Sequence, residues 1–406
     1  MNKKGIIIII VGAVLILSGL FLVLYLFLFA EDPEEGFQNI RNSLPFGERE
    51  YAERESEPTE VNDEPTKPVF SDQILRKVSK HPVAENGFFT FKKDGGTYIR
   101  YISRGEGNIY EVKTDGENHT SLLSEDDYLS GVYKVSWIDE NNFIILSLLE
   151  EETKVITVTL TEDEGGFTWS GGVLDDETRA YAVNSEESKY FYTLKNNTGV
   201  DGFINSFNET SGQHVFSSKI KEWLIEWPSS QKITLTTKPS GYVPGHMYTL
   251  NTQNKDLRHT LRGIYGLTTL TNKDVSYTLY NSNENGDVSL KLYDYEENKY
   301  SDALSIKTLT DKCVWKETTI LICAVPDTLT SNIYPDSWYQ GKISFNDSVF
   351  KEINIETDEV EDFLKPEEVL YEFEPVDAYS LKFSKLNNHF LYIDKKTGDL
   401  WVYDLE

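Results

Sequence analysis

The sequence predicts an all-β domain, and three observations lead to this prediction. From Phe70 onward, short segments of alternating apolar and polar residues are separated by Gly, Asn, Asp and Ser turns, without long helical periodicity. Aromatic residues make up 13% of the chain, with 24 Tyr, which is typical of strands. One pattern also recurs: an apolar or aromatic anchor, a polar turn and an apolar strand.

The spacing of these anchors predicts the architecture. The anchors are Phe91, Trp137, Val183, Trp227, Leu270, Trp315 and Phe383, with successive gaps of 46, 46, 44, 43, 45 and 68 residues. A period near 45 residues is about the length of a four-stranded propeller blade. We therefore predict a seven-bladed β-propeller over residues 71–406, although six or eight blades also fit. An insertion at 326–346 accounts for the longest gap, and we expect the anchor Trp side chains to pack between blades.

The chain end predicts how the ring closes. Leu400–Leu405 has the pattern of the third strand of the last blade, so one strand is missing there. Ile74–Val78, just before the first blade, can supply this strand. Since an unpaired edge favours aggregation, we expect the N-terminal strand to complete the last blade.

Residues 1–30 predict a single transmembrane helix. Gly5–Phe29 contains no charged residue and is longer than the roughly 20 residues that cross a bilayer. Lys3 and Lys4 precede this stretch and acidic residues follow it, which predicts a cytoplasmic N-terminus at the cell membrane and an extracytoplasmic domain. A cleaved signal peptide fits less well, because its apolar region is shorter and ends in a small-x-small site.

Residues 31–70 predict a disordered tether. This segment is rich in Glu and Pro and poor in apolar residues, so it cannot bury enough surface to offset its ordering entropy. The whole chain carries a formal net charge of −28, which argues against a nucleic-acid partner.

The two cysteines predict a cross-strand disulfide. Cys313 and Cys323 flank a segment with the pattern of a strand, a turn and a strand, symmetric about Thr318. This symmetry places the sulfurs opposite each other, and such a pair usually oxidises outside the cytoplasm. The alternative is two buried free thiols.

Five segments carry a resemblance to known proteins. They are Glu222–Pro228, Leu235–Ser240, Gly263–Leu270, Asp311–Trp315 and Tyr334–Gly341. Through them the chain resembles an uncharacterised family of membrane-anchored propellers from candidate-phyla bacteria such as Parcubacteria. Its blades are also similar to those of TolB-type and WD-repeat-like propellers. The resemblance implies a fold and a location, and it implies no activity.

Catalytic and metal-binding signals are weak. The chain has no Gly-x-Ser-x-Gly elbow, P-loop or His-Glu-x-x-His motif, and its six histidines lack metal-ligand spacing. Asn281–Gly286 imitates the start of an EF-hand loop, but Leu292 stands where the bidentate Glu belongs. Glu162–Trp169 partly matches the Asp box of sialidase-like propellers, which is a structural turn. We predict no catalytic residue, no metal and no cofactor.

Two long connections between second and third strands are the candidate binding elements, and both should emerge on one face. They are Lys238–Tyr248 and Pro326–Asn346. Aromatic loops on a rigid scaffold favour recognition. The candidate binding residues are Tyr242, His246, Tyr334, Asp336, Trp338 and Tyr339. The alternative is that the insertion only covers a channel or a blade edge.

These features favour a non-catalytic interaction or scaffold module of the cell envelope, with another envelope protein as its partner. A receptor for glycan or peptide is the second hypothesis, and an envelope hydrolase is the third. A broad apolar patch on the loop face would favour a protein partner, whereas an aromatic shelf would favour a glycan. Charges with shifted pKa values converging in the channel would favour an enzyme.

Overall fold

The computed structural model describes residues 74–405 except 150–151, 185, 187, 208, 210, 330–332, 371–373 and 386–387. The predicted anchor and tether, residues 1–70, lie outside this range. Within it, no helix has the length and apolar character needed to cross a membrane.

Strands dominate the described part of the chain. The first half contains β1 (Leu75–Lys77), β2 (Val83–Lys93), β3 (Gly96–Ser103), β4 (Ile109–Lys113), β5 (Thr120–Ser121), β6 (Val132–Trp137), β7 (Asn142–Leu149), β8 (Glu152–Asp163), β9 (Gly166–Val173), β10 (Thr178–Asn184), β11 (Lys189–Lys195), β12 (Val200–Ser206) and β13 (Gln213–Ser218).

The second half continues the same organisation. It contains β14 (Trp223–Ser229), β15 (Lys232–Thr237), β16 (Gly245–Asn251), β17 (Leu257–Ile264), β18 (Thr269–Thr271), β19 (Tyr277–Glu284), β20 (Asp287–Asp294), β21 (Lys299–Tyr300), β22 (Cys313–Trp315), β23 (Ile320–Pro326), β24 (Asp347–Asn354), β25 (Glu359–Leu364), β26 (Ala378–Phe383), β27 (His389–Asp394) and β28 (Leu400–Asp404). The helices are short: 3-10 turns at Glu125–Asp127 and Thr310–Lys312, α1 (Asp336–Tyr339) and α2 (Pro366–Val369).

Consecutive strands pair antiparallel in groups of four. The groups are β2–β5, β6–β9, β10–β13, β14–β17, β18–β21, β22–β25 and β26–β28 with β1. A single parallel bridge, Glu85 opposite Lys134, joins β2 to β6 and merges the first two groups into one eight-stranded sheet. All seven predicted anchors lie in the first strand of a group. The repeat seen in the sequence is therefore the repeat of the structure.

Pairing of β1 with β28 completes the last group, as predicted. Leu75, Arg76 and Lys77 lie opposite Tyr403, Val402 and Trp401 in antiparallel register. The first and last described strands are thus neighbours in one sheet.

Burial is high in the second strands of the sheets and low in the outer strands. Every residue of β27 is buried, and Phe143, Ile144 and Ile145 of β7 are fully buried in succession. Both faces of these strands are covered because neighbouring sheets pack on either side, which explains their continuous apolar sequence. The outer strand β9 is exposed along most of its length.

The anchor Trp residues lie between neighbouring sheets, as predicted. Trp137 belongs to a buried cluster built from strands of the first two groups, and its ring lies 4.5 Å from that of Phe143. Trp227 occupies the equivalent place between the third and fourth groups. The indole N–H of Trp315 donates to the Leu270 carbonyl oxygen of the preceding sheet at 3.1 Å. These rings stabilise the contacts between sheets.

The predicted disulfide is present. Cys313 of β22 pairs directly opposite Cys323 of β23, and their sulfurs are bonded at 2.06 Å. The pair is buried next to Leu279, Leu321 and Ile353. It covalently joins the first two strands of one sheet.

The closing strand supplies a testable prediction. Leu75 is fully buried among residues of β23, β24 and β27, so Leu75→Ala should leave a cavity between two sheets. We expect this substitution to lower the free energy of unfolding by about 2–5 kcal/mol in chemical denaturation of the full chain. Lys77→Ala, at the exposed position of the same strand, is the matched control and should change it by less than about 1 kcal/mol. Equal effects of the two substitutions would contradict the closing role of β1.

Candidate functional site

One face of the sheets carries the candidate site. Connections between second and third strands emerge there, as do those from each fourth strand to the next first strand. We call this the loop face. Residues 238–244 join β15 to β16, and residues 327–346, which we call the insertion, join β23 to β24. Both connections are shorter than predicted, because Gly245–Tyr248 belongs to β16 and Pro326 ends β23.

A carboxylate holds these two connections together. The Gly241 amide and the Ser240 hydroxyl donate to Asp336 of α1 at 2.7 and 3.3 Å. A methyl group added at Gly241 would lie 2.6 Å from Ile333 and from the Tyr334 carbonyl oxygen, so only glycine permits this approach. The insertion therefore reaches across the intervening β18–β21 sheet to the loop before β16.

Two of the predicted binding residues lie in the interior. Tyr334 and Trp338 are each only 2% exposed and pack with Phe345, Val288 and Leu309. Their burial gives them a packing role, because neither can present a ring to a ligand in this arrangement. The sequence analysis predicted that these two aromatic side chains contact a ligand. Their burial agrees with its alternative, in which the insertion has a structural role as cover.

A fully buried ion cluster fastens the insertion from below. Lys312 Nζ lies 2.7 Å from Asp347 Oδ2 and 2.6 Å from Asp377 Oδ1, and all three side chains are fully buried. Asp377 also accepts the indole N–H of Trp338 at 3.1 Å and the backbone N–H of Phe345 at 3.1 Å. The cluster thus links the insertion to the starts of β22, β24 and β26.

Burial changes the acidity of this cluster. It raises the pKa of Asp347 to about 6, although Lys312 acts in the opposite direction. Among the described residues, Asp347 Oδ1 has no hydrogen-bond partner, whereas Oδ2 accepts the Ala378 amide at 2.7 Å. The cluster has two carboxylates for one ammonium group, and the second carboxylate, Asp377, also raises the pKa of Asp347.

Four exposed hydrophobic or aromatic side chains lie on the loop face. Tyr242, Val243, Tyr265 and Ile333 are between 36% and 67% exposed, and we call them the loop-face patch. The Asp336 contact, together with the hydrogen bond from the Gly266 amide to the Ser240 carbonyl oxygen at 2.9 Å, brings their segments together. Of the predicted binding residues, Tyr242 belongs to this patch.

The predicted binding residue His246 lies on β16. Its Nδ1 is 3.1 Å from Nε2 of His259 on β17, and the His259 ring stacks on Tyr248 at 4.3 Å. Burial, with Arg262 and His246 nearby, lowers the pKa of His259. This arrangement gives His246 a partner within its own sheet.

Tyr339 belongs to a second group of polar residues. This group lies at the mouth of the channel that the first strands surround. Its hydroxyl donates to both carboxylate oxygens of Asp311 at 3.0 Å, and the ring is 41% exposed. Tyr339 also interacts electrostatically with Glu85 of β2 and Glu226 of β14. Glu85 accepts an ion pair from Lys134 of β6 at 2.8 Å. We call these five residues the channel-mouth cluster.

The carboxylate of Glu226 has a raised pKa. The hydroxyl groups of Thr234 and Thr271 both donate to it at 3.1 Å, yet burial raises its pKa to about 7. Burial also raises the pKa of Asp311. Apart from Tyr339, sequence reasoning missed this cluster. Glu85, Lys134 and Glu226 are ionisable residues within first strands, and Asp311 lies just before one.

A cleft of about 490 Å³ lies between β17 and the β18–β21 sheet. Tyr265, Tyr280 and Tyr300 line it together with Arg262, Glu284 and Lys291. Since Tyr265 also belongs to the loop-face patch, the cleft opens beside that patch. Three phenol rings and both signs of charge suit an extended peptide or a sugar.

The two near-motifs occupy turns. Asn281–Gly286 spans the β19–β20 hairpin turn, and Glu162–Trp169 spans the β8–β9 hairpin turn. In the described part of the chain, no three His, Cys, Asp or Glu side chains are grouped so that they could hold a metal ion.

Comparisons with known proteins address the fold. No protein-family model matches the chain, and no curated protein matches it. Among solved structures, YCF48 bound to D1 peptide is 10% identical, with 82% of this chain and 96% of that chain covered and a TM-score of 0.51. This likeness supports a β-propeller fold and carries no information on activity.

Other structural neighbours are TolB-type propellers and peptidases. TolB from Acinetobacter baumannii is 11% identical over 67% of this chain and 64% of that chain, with a TM-score of 0.42. The tricorn protease is 10% identical over 80% of this chain and 34% of that chain, with a TM-score of 0.48. This chain therefore spans less than two thirds of TolB and about a third of the protease.

The Asp336 contact generates a prediction. Asp336→Ala should release residues 238–244 from the insertion, because the Gly241 amide loses its acceptor. We expect amide hydrogen exchange in 238–244 to accelerate at least tenfold, while the free energy of unfolding falls by only about 1–2 kcal/mol. Lys342→Ala, at an exposed position of the same insertion, is the control and should leave exchange in 238–244 unchanged. Unchanged exchange in Asp336→Ala would show that the two connections are held independently.

Proposed function

We propose that this chain is a membrane-anchored, seven-bladed β-propeller that binds another envelope protein through its loop face and does not act as a catalyst. The observation that carries the proposal is the loop-face patch. Its four exposed side chains lie on connections that the Asp336 contact and the Gly266–Ser240 hydrogen bond join. Apolar side chains on a preorganised surface are typical of protein interaction sites.

The blade number rests on the repeat. Each of the anchors Phe91, Trp137, Val183, Trp227, Leu270, Trp315 and Phe383 lies in the first strand of a four-stranded group. The pairing of β1 with β28 supplies the fourth strand of the last group. Seven groups of this kind make seven blades in one ring.

The proposed location rests on the sequence and on the disulfide. Gly5–Phe29 is uncharged and long enough to cross a bilayer, and Lys3 and Lys4 precede it. The Cys313–Cys323 bond is the kind of cross-link that persists in oxidising compartments. These features support an extracytoplasmic domain on a single-pass anchor, held off the membrane by residues 31–70.

A protein partner suits the patch better than a glycan. Val243 and Ile333 are aliphatic and offer no stacking surface to a sugar ring, whereas they can be buried against apolar side chains of a partner. The neighbour YCF48 is bound to a D1 peptide in its structure, which supports peptide recognition as a use of this fold. A glycan or peptide receptor remains the alternative for the cleft that Tyr265 lines.

This proposal predicts that Val243→Asp abolishes partner capture. A charge within the patch would have to be desolvated on binding, so crosslinking and affinity purification of the full-length protein from native membranes should lose the partner. Val173→Asp makes the same change on the exposed edge strand β9 and is the control. Both variants should keep the wild-type melting temperature. Equal recovery of the partner with wild-type, Val243→Asp and Val173→Asp proteins would contradict the proposal.

A second candidate function is an envelope hydrolase, and Glu226 is the observation that favours it. Its pKa of about 7 suits a general acid or base, and Asp311 is a second carboxylate within electrostatic reach. If the chain is a hydrolase, the purified full-length protein should cleave envelope peptides or glycans, and Glu226→Gln should reduce the rate at least a hundredfold. Glu222→Gln, on the exposed connection before β14, is the control. Equal background rates in all three proteins would exclude the hydrolase.

A further inference from the structure

The channel mouth gathers cations in a strongly acidic chain. The chain carries a formal net charge of −28, yet three cationic side chains, Lys134, Lys395 and Arg104, act together on the single carboxylate of Glu85. A fourth, Lys382 of β26, interacts electrostatically with Lys134. Four cationic side chains and the carboxylates of Glu85, Asp311 and Glu226 therefore lie together at the channel mouth.

The backbone fixes this arrangement. The Arg104 amide donates to the Pro82 carbonyl oxygen at 2.7 Å, and the adjacent Gly105 donates to Val132 at 2.7 Å. Arg104 thus lies between the starts of β2 and β6. The Lys395 amide donates to the Asp377 carbonyl oxygen at 2.8 Å, which places Lys395 at the start of β26.

Among the described residues, Lys134 is the only one of these four cations that forms a salt bridge. Lys134 Nζ lies 2.8 Å from one oxygen of Glu85. Lys382 Nζ donates to the Asn86 carbonyl oxygen at 3.3 Å and lies 4.8 Å from the centre of the Phe88 ring. Lys395 Nζ donates to the Trp338 carbonyl oxygen at 2.6 Å and lies 3.5 Å from the centre of the indole ring. Arg104 is exposed, and its guanidinium has no hydrogen-bond or ion-pair partner among the described residues.

Two of these lysines have lowered pKa values because they are buried. Burial lowers the pKa of Lys382 to about 8, and Lys134 adds to the effect. Burial likewise lowers the pKa of Lys395 to about 8, although Asp377, Asp311 and Glu85 oppose it. An additional anion at the channel mouth would stabilise both ammonium groups.

We propose that the channel mouth binds a peptide carboxylate, with Arg104 as its principal donor and Lys395 beside it. The guanidinium is unpaired and can donate two parallel hydrogen bonds to a carboxylate. Glu85 and Asp311 remain close by, so a singly charged carboxylate is favoured over a phosphate. The carboxylate can come from a chain end or from an Asp or Glu side chain.

This site deepens the proposed partner binding by assigning the partner an acidic group. It uses residues other than the loop-face patch, so the two proposals can fail separately. Capture that is sensitive to Val243→Asp tests the patch, whereas affinity for short peptides tests the channel mouth.

The experiment measures rhodamine-labelled nine-residue Gly-Ser peptides by fluorescence anisotropy with the full-length protein at low salt. One peptide ends in a free carboxylate, one ends in an amide, one is an amide with a single internal Glu, and one is an amide with phosphoserine in its place. We expect at least one carboxylate peptide to bind at least tenfold more tightly than the plain amide. Binding should weaken with added salt, as expected for partly exposed charges.

Substitutions of Arg104 test whether it is the principal donor to the carboxylate. Arg104→Gln should weaken carboxylate binding at least tenfold and Arg104→Lys by less, because lysine keeps the charge but not the paired donors. Lys299→Gln, on the exposed outer strand β21, is the control and should change nothing.

The outcomes separate the possibilities. Preference for the free terminus or for the internal Glu identifies the source of the carboxylate, and either supports the proposal. Equal binding of the plain amide, unchanged affinity in Arg104→Gln, tighter binding of the phosphopeptide, or absence of binding by every peptide would each overturn it.

Discussion

Pairing between the two ends of the described chain is the constraint on which the remaining structure depends. Each four-stranded group has one exposed edge and two faces that need cover, so no group is stable alone. When β1 adds to β28, the last group is completed by residues more than 300 positions away in sequence, as the Arg76–Asp404 contact also shows. Leu75 then fills the space between two sheets.

The same closure creates the channel mouth. First strands from different groups can present Glu85, Lys134 and Glu226 to one another only because the groups are arranged around a common centre. These side chains are half-exposed, and they interact over longer distances than surface pairs in bulk solvent because protein surrounds them. The clustering of ionisable groups is thus a consequence of the architecture.

A fully buried ion cluster also holds the insertion in place. Lys312, Asp347 and Asp377 lose their hydration, and such a cluster adds little net stability compared with apolar packing. The cluster instead fixes the position of the insertion, because Asp377 also accepts the indole N–H of Trp338 and the Phe345 amide. The insertion is thereby held in one place over the β18–β21 sheet. The loop-face patch lies on the insertion and on the connections joined to it.

The sequence by itself determined the strand content, the 45-residue repeat, the closing strand and the disulfide. These depend on local alternation, spacing and symmetry, which can be recognised along one dimension. Only the tertiary structure decided that Tyr334 and Trp338 are buried while Tyr242 and Tyr339 are exposed. It also decided that Asp336 binds Gly241, 95 residues earlier, and that Glu85 and Arg104 share the channel mouth. The physical reason is that the exposure of an aromatic side chain, and the partners of a charge, depend on which distant segments the ring brings against it.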